Sequence, residues 1–190
     1  QNNRIMRAFI SLNLDKAKKE LVKKYRDELR NIMGSDIAEK IKWEAEDKYH
    51  ITLFFIGDIK DGLKNIMIQE LDNIGNLNIG EIEFEFERIS AFPDLKNPRV
   101  LFLDVKDKEK KSFVFSKEVE DKMNLFGFKQ DKKYVPHITL GRVRKNERIQ
   151  LKDMNVECEN EKFTAKYVCL MKSALTSKGS YYEEVHRVVL

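Results

Sequence analysis

The sequence has 190 residues, of which 42% are hydrophobic and 36% are charged, and its net charge is +4. A chain of this length can bury one substantial core, and the charged fraction is well above the roughly 25% of an average globular protein, so a densely ionic surface is expected and a disordered chain is excluded. The small excess of positive charge is compatible with a phosphate-bearing ligand but does not identify one.

Membrane and metal proteins are also disfavoured by the sequence. Its longest apolar run, residues 51–57, is far shorter than the roughly 20 residues that a membrane helix needs. Cys158 and Cys169 lack the spacing of a zinc site, and we expect free thiols in a cytoplasmic protein. We interpret residues 1–5 as an added tag or an upstream extension, with Met6 as the initiator.

The first third of the chain predicts three strands and two helices. Residues 7–14 form a strand, and Asp15 then caps a helix that ends at Gly34. Strands follow at residues 41–45 and 50–57. The apolar stripe of the first helix comprises Ala17, Leu21, Tyr25, Leu29 and Ile32, and that of a second helix comprises Leu63, Ile66, Met67, Leu71 and Ile74.

The middle of the chain predicts a strand pair and a third helix. In residues 81–87 the apolar Ile82, Phe84 and Phe86 alternate with glutamates, which is typical of a half-buried strand. A turn through residues 93–98 leads to a partner strand at residues 99–105. The third helix carries Phe113, Val119, Met123 and Phe126, and Gly127 closes it.

The last third predicts strands at residues 137–143, 163–175 and 181–190, the last two joined by a turn at Lys178 and Gly179. The order of strand, long helix and strand occurs twice, and no flexible linker separates the copies. We therefore predict one α+β domain over residues 1–190, built of two pseudo-symmetric lobes. Each lobe is a mostly antiparallel sheet with helices on the outside, and a central cleft lies between them.

The tetrapeptide His-Ile-Thr-Leu begins at His50 and again at His137, 87 residues later, and uses two of the three histidines. Side chains alternate between the two faces of a strand, so His50 and Thr52 share one face while Ile51 and Leu53 anchor the other. The second copy presents His137 and Thr139 in the same way, with Ile138 and Leu140 as its apolar anchors. Two imidazoles and two hydroxyls thus converge if the lobes face each other.

This set of groups suits the opening of a phosphodiester. Histidines with a pKa near 6.5 can supply one general base and one general acid at neutral pH, on opposite sides of the phosphorus atom. The threonine hydroxyls can donate to the nonbridging oxygens. We expect no metal, because two histidines without a third ligand are an incomplete zinc site. From these residues alone the acid and base roles of His50 and His137 are interchangeable. The third histidine, His186, is interpreted as structural.

The sequence resembles the two-histidine phosphoesterase superfamily and, within it, the RNA 2′,3′-cyclic phosphodiesterase (ThpR/LigT-like) family. The resemblance covers nearly the whole chain and is carried by the segments MRAFISL, IKWEAEDKYHITLFFIGDI, FPDLKNPRVLFL, YVPHITLGRV and SALTSKGSYYE. It implies that a 2′,3′-cyclic phosphate at an RNA end is opened to a 2′-phosphate, with His50 as proton donor and His137 as proton acceptor. It also implies 2′-5′ RNA ligation, the reverse reaction, in some relatives.

The resemblance further suggests substrate-binding residues. Arg142 matches a family arginine that meets the phosphate, and Arg99 is a candidate for the same groove or for a salt bridge at a strand edge. Tyr134 and Phe9 are candidates to stack on the terminal base or are ordinary core residues. We interpret Trp43 as a packing residue.

Two other functions fit the same residues. One is a cyclic phosphodiesterase that acts on small nucleotides, such as the cyclic phosphate of ADP-ribose or 2′-5′ oligoadenylate. The other is a non-catalytic module that binds RNA ends, although binding alone does not require two complete His-x-Thr pairs. We expect a monomer without a cofactor, because one chain supplies both motifs, and we expect its partners to be RNA ends such as tRNA fragments.

Overall fold

The computed structural model describes residues 5–152, 154–158, 160–177 and 179–190. Residues 1–4, interpreted above as part of a tag or an extension, lie outside these ranges. Lys178, predicted to form a turn with Gly179, also lies outside them. The helices are α1 (Lys16–Met33), α2 (Ser35–Ala38), α3 (Asp61–Gly75) and α4 (Lys111–Leu125), with one 3₁₀ turn at Glu46–Lys48. The strands are β1 (Ile5–Asn13), β2 (Ile41–Trp43), β3 (His50–Lys60), β4 (Ile82–Phe92), β5 (Val100–Lys106), β6 (His137–Val143), β7 (Lys162–Ala165), β8 (Tyr167–Thr176) and β9 (Gly179–Val189).

The strands form two antiparallel half-sheets that meet in the middle of the molecule. Their order is β7-β4-β5-β6-β3-β1-β8-β9, and β2 pairs with the free side of β6 near its end. The two halves join between β3 and β6 through the pair Ile51 and Ile138. The predicted α+β, bilobal fold is confirmed, and the repeated order is β1-α1-β3 in one lobe and β5-α4-β6 in the other.

Helix α1 shows why these residues adopt this structure. The Asp15 carboxylate accepts a hydrogen bond of 2.8 Å from the Lys18 amide, so the predicted N-cap is confirmed. Val22, Tyr25 and Leu29 form the buried stripe. Ile32 is 47% exposed, because the stripe that packs on the core is centred on Val22 rather than on Ile32.

The apolar residues that alternate along β4 are buried, as predicted. Ile82, Phe84 and Phe86 are at most 1% exposed, and the Phe84 ring stacks on Phe163 of the neighbouring strand β7 at 5.0 Å. The core therefore extends from both half-sheets to the helices that cover them. Within the described residues, no helix is long and apolar enough to cross a membrane.

Gly141 allows strand β2 to lie against the end of β6. A Cβ atom at this position would come within 2.7 Å of the Ile41 side chain, 3.0 Å of the Trp43 ring and 3.3 Å of the Lys42 carbonyl oxygen. The Trp43 indole is held in place, because its Nε1 donates to the Ala38 carbonyl at 2.9 Å. The interpretation of Trp43 as a packing residue agrees with this position.

We predict that Gly141→Ala lowers the free energy of unfolding by about 1–3 kcal/mol, because the added methyl group overpacks the contact with β2. Urea denaturation measures the change. Gly62→Ala is the matched control, since a Cβ atom at this position in α3 meets nothing within 4 Å. The control is expected to be neutral or stabilising, and equal effects of the two substitutions would contradict the steric explanation.

Candidate active site

Each His-Ile-Thr-Leu motif ends in a β-bulge. Between β1 and β3, Ser11 pairs with Thr52 and Ile10 with Phe54, so Leu53 is an extra residue. Leu140 is extra in the same way between β5 and β6. The bulge reverses the alternation of faces, and as a result the residue five positions after each histidine returns to the cleft.

The burial of the two strands follows the same pattern over seven residues, with two consecutive buried positions at the bulge. The residues that return to the cleft are Phe55 in β3 and Arg142 in β6. In a regular strand, an odd separation of five would place Arg142 on the face opposite His137. The bulge therefore explains how this arginine and the histidine share one site.

One cavity of about 150 Å³ lies between the motifs. The residues that line it are Phe9, Glu44, Lys48, His50, Thr52, Phe55, His137, Thr139, Arg142, Ser173 and Tyr182. The structure thus brings together both histidines, both threonines, Arg142 and Phe9. The anchors Ile51, Leu53, Ile138 and Leu140 are at most 1% exposed on the opposite face of their strands.

The backbone sets the same tautomer in both imidazoles. His50 Nδ1 lies 2.6 Å from the Lys48 carbonyl oxygen, and His137 Nδ1 lies 2.7 Å from the Val135 carbonyl oxygen. A carbonyl only accepts hydrogen bonds, so Nδ1 carries the proton in each neutral ring. Nε2 is left with its lone pair, and in His50 it lies 2.9 Å from the Thr52 hydroxyl oxygen.

Each imidazole is packed between two aromatic side chains. The His50 ring lies 4.9 Å from Phe9 and 5.6 Å from Tyr182, and the His137 ring lies 5.1 Å from Phe92 and 5.3 Å from Phe102, measured between ring centroids. Burial lowers the pKa of His50 to about 4, although its hydrogen bond to the Lys48 carbonyl opposes the shift. Burial also lowers the pKa of His137.

The remaining polar groups make the cavity suitable for an anion. The Arg142 side chain is 57% exposed, and its Nε lies 3.8 Å from the Glu44 carboxylate. Lys48 places its ammonium group 5.7 Å from the centre of the Tyr182 ring. The positive charge of Arg142 lowers the pKa of both histidines, so a bound anion that offsets this charge favours their protonation.

Two predicted substrate-binding residues lie elsewhere. The Arg99 guanidinium donates to the main-chain oxygens of Glu147 at 2.9 Å and Arg144 at 3.4 Å, and it lines a separate surface groove. Tyr134 packs against the core and against Phe113, 5.2 Å away, and its burial raises the pKa of the phenol. Arg99 is thus held outside the cavity by a loop backbone, and Tyr134 occupies a core position, which is the second of the two alternatives predicted for it.

Phe9 lines the cavity but is 4% exposed, and its ring packs on His50 and Tyr182. Phe55 is 44% exposed and is the more accessible aromatic surface. Sequence reasoning missed five cavity residues, which are Glu44, Lys48, Phe55, Ser173 and Tyr182. Of these residues, only Phe55 could have been recognised in the sequence, because it lies five residues after His50, just as Arg142 lies five residues after His137.

Acidic, histidine and cysteine side chains do not gather into a metal-binding cluster near the motifs. No group of three or more of these residues that could hold a metal ion occurs in the part of the chain that the structure describes.

A bilobal antiparallel fold that presents two His-x-Thr pairs to one cleft defines a phosphoesterase of the two-histidine class. Residues 13–102 and 104–182 match the model of the family described as LigT like Phosphoesterase. The chain belongs to this LigT-like phosphoesterase family.

Relatives and solved structures extend this comparison. The chain is 30% identical over 185 residues to the RNA 2′,3′-cyclic phosphodiesterase of Methanocaldococcus jannaschii, covering 95% of this chain and 98% of the relative. It is 29% identical over 193 residues to the protein of the same name from Aquifex aeolicus, with 98% of each chain covered.

The crystal structure of E. coli LigT complexed with 3′-AMP has a TM-score of 0.79 at 16% identity and covers 98% of this chain and 99% of that chain. That of TT0787 of Thermus thermophilus has a TM-score of 0.74 at 17% identity, with 97% and 98% covered. The structures share the fold.

The low pKa of His50 predicts a pH dependence of stability. Between pH 6.5 and about 4 the unfolded chain binds a proton at this position and the folded chain does not, so stability is complete above pH 6.5 and falls as the pH falls. From pH 7 to 4.5 the native protein should lose about 2 kcal/mol more than His50→Gln. Urea denaturation at both pH values measures this, and an equal loss in the two proteins would contradict it.

Proposed function

We propose that the protein hydrolyses the 2′,3′-cyclic phosphodiester end of RNA to a 2′-phosphomonoester, using His50 and His137 as the acid–base pair and no metal ion. The observation that carries the proposal is that both imidazoles have Nδ1 bonded to a backbone carbonyl and line the same small cavity. The names of the relatives support the substrate, and the duplicated Thr hydroxyls support the reaction type.

In this mechanism His137 Nε2 takes a proton from water while the water oxygen forms a bond to phosphorus. The P–O3′ bond breaks, and the His50 imidazolium gives its Nε2 proton to O3′, so a 2′-phosphate and a free 3′-hydroxyl remain. Thr52 and Thr139 donate to the nonbridging oxygens, together with Arg142, as charge develops there. A ribose 5′-hydroxyl in place of water gives a 2′-5′ linkage by the same steps, because the P–O3′ bond again breaks and the bond to O2′ is kept.

The bound substrate restores the proton that burial removes from His50. A phosphodiester anion in the cavity stabilises one imidazolium, and a buried imidazolium with a depressed pKa is a strong acid toward the leaving oxygen. We propose that Phe55 and Tyr182 contact the terminal base, because both line the cavity and the Phe55 ring is accessible.

A surface groove favours an RNA strand over a small nucleotide. The groove lies beyond the end of β6 and is lined by Lys96, Arg99, Lys145 and Arg148, with Glu147 as the acidic residue. Strand β6 runs from His137 in the cavity toward this loop, over roughly 20 Å. Backbone phosphates of the nucleotides that precede the cyclic end would meet these cations as the strand leaves the cavity past Arg142.

We predict that His50→Ala and His137→Ala each lower kcat by at least about 100-fold, because each removes one proton-transfer group. The assay uses a short RNA with a 2′,3′-cyclic phosphate in the presence of EDTA, and phosphorus NMR separates 2′- from 3′-monophosphate. His186→Ala is the control, since His186 bonds Asp72 at 2.7 Å and lies outside the cavity. Full activity in both catalytic variants would contradict the mechanism, and a 3′-phosphate product would show that the P–O2′ bond breaks instead.

The double substitution Lys145→Glu/Arg148→Glu should raise KM for a ten-nucleotide RNA with a cyclic end by about tenfold and leave KM for 2′,3′-cyclic AMP unchanged, since only the strand reaches the groove. Lys16→Glu/Lys117→Glu is the matched control, because it makes the same change of charge at exposed positions of α1 and α4. If the groove variant binds both substrates like the native protein, the enzyme acts on small cyclic nucleotides or the strand takes another path.

A further inference from the structure

The two half-sites differ at one equivalent position. On the strand that pairs with each motif, Asn13 of β1 lies directly opposite His50, and Asp104 of β5 lies directly opposite His137. Directly opposed residues of an antiparallel pair share a face, with Cβ atoms roughly 5 Å apart. One histidine thus has a neutral amide beside it, and the other has a carboxylate.

Asp104 is in a position to act on His137 through space. The imidazole Nδ1 is already bonded to the Val135 carbonyl, and the half-buried Asp104 lies opposite His137 across the β5–β6 pair. Its negative charge raises the pKa of His137, whereas the positive charge of Arg142 on β6 lowers it. A half-buried carboxylate is screened less by water than an exposed one, so its effect on a neighbouring imidazolium is larger.

Asn13 has no comparable effect on His50. Its side-chain oxygen accepts a hydrogen bond of 2.7 Å from the Ser11 hydroxyl, and its Nδ2 contacts the Met171 sulfur at 3.6 Å. The charged groups that act on His50 are His137, Lys19 and Arg142, and all of them lower its pKa. Glu44 and Lys48 line the shared cavity from the segment that follows β2.

We infer that Asp104 is a positioning residue that stabilises the imidazolium formed at His137 when this ring takes the proton of water; this rests on the proposed function. When His137 Nε2 takes the proton of water, the new positive charge forms beside a carboxylate. The His50 imidazolium has no such partner and releases its proton to O3′ more readily. The carboxylate thereby makes His137 the stronger base of two imidazoles that have the same backbone hydrogen bond.

The charges around Asp104 define the test conditions. Burial and Glu87 raise the pKa of the Asp104 carboxyl, and Arg88 of β4 and His137 lower it. The carboxylate must be ionised for its effect, so the influence on His137 is lost as the pH falls through the pKa of Asp104. Measurements therefore extend from pH 8 down to about 4, which spans the ordinary pKa values of both groups.

The experiment is an NMR titration of the histidine rings in the native protein, Asp104→Asn, Asp104→Glu and Asn13→Asp. Asp104→Asn should lower the pKa of His137 by about one unit and change that of His50 by much less, and Asp104→Glu should restore the native value of His137. Asn13→Asp should raise the pKa of His50. No change at His137 in Asp104→Asn would overturn the inference, as would equal shifts of both histidines.

Kinetics give a second readout. In Asp104→Asn the limb of the pH profile of kcat/KM that follows the ionisation of His137 should move to lower pH by the same amount as the His137 pKa, and kcat/KM should fall by about tenfold. A lower rate with an unmoved pH profile would mean a structural role and would overturn the inference. If the native protein lacks cyclic phosphodiesterase activity, the proposed function fails, and a titration that still shows the shift confirms only the coupling between Asp104 and His137.

Discussion

The pairing of Ile51 with Ile138 is the contact on which the rest of the molecule depends. Both side chains are fully buried, and their strands join the two half-sheets at this point. Because neighbouring residues of a strand face opposite sides, burying these two isoleucines directs the histidine and threonine on either side of each toward the cleft. The hydrophobic effect thus fixes the geometry of the cleft, although the buried isoleucines themselves face away from it.

The two motifs have the same backbone arrangement but present different side chains to the cavity. Both motifs have a histidine bonded to the carbonyl two residues earlier and a bulge at the leucine. The bulge then presents an aromatic ring in one lobe and a guanidinium in the other, at Phe55 and Arg142. A duplicated framework therefore places two imidazoles in one cavity, while its variable positions place an aromatic ring on one side and a positive charge on the other.

The repeat made much of the fold and the centre of the site predictable. Two copies of one tetrapeptide, each after a long helix, indicate equivalent strands, and strict alternation assigns their faces. Strict alternation assigns the wrong face to the residues that follow Leu53 and Leu140, because each of these leucines is the extra residue of a bulge. The local sequence pattern does not indicate where a bulge occurs. Tyr182, Glu44 and Lys48 reach the cavity from segments without a motif. Tyr182 is brought there by the pairing of β1 with β8 and of β8 with β9, and Glu44 and Lys48 follow β2, which pairs with β6; these pairings depend on long-range packing.

The position of β1 has a consequence for the order in which the chain can fold. Its partners are β3 on one side and β8 on the other, and β4 of the second lobe likewise needs β7. The His50 ring packs between Phe9 and Tyr182, which are 182 − 9 = 173 residues apart. Such distant pairing slows folding, since the loop must close before the contacts form. During synthesis, neither half-sheet can be completed until residues 162–189 leave the ribosome, so His50, although it lies in the first third of the chain, is among the last groups to acquire its surroundings.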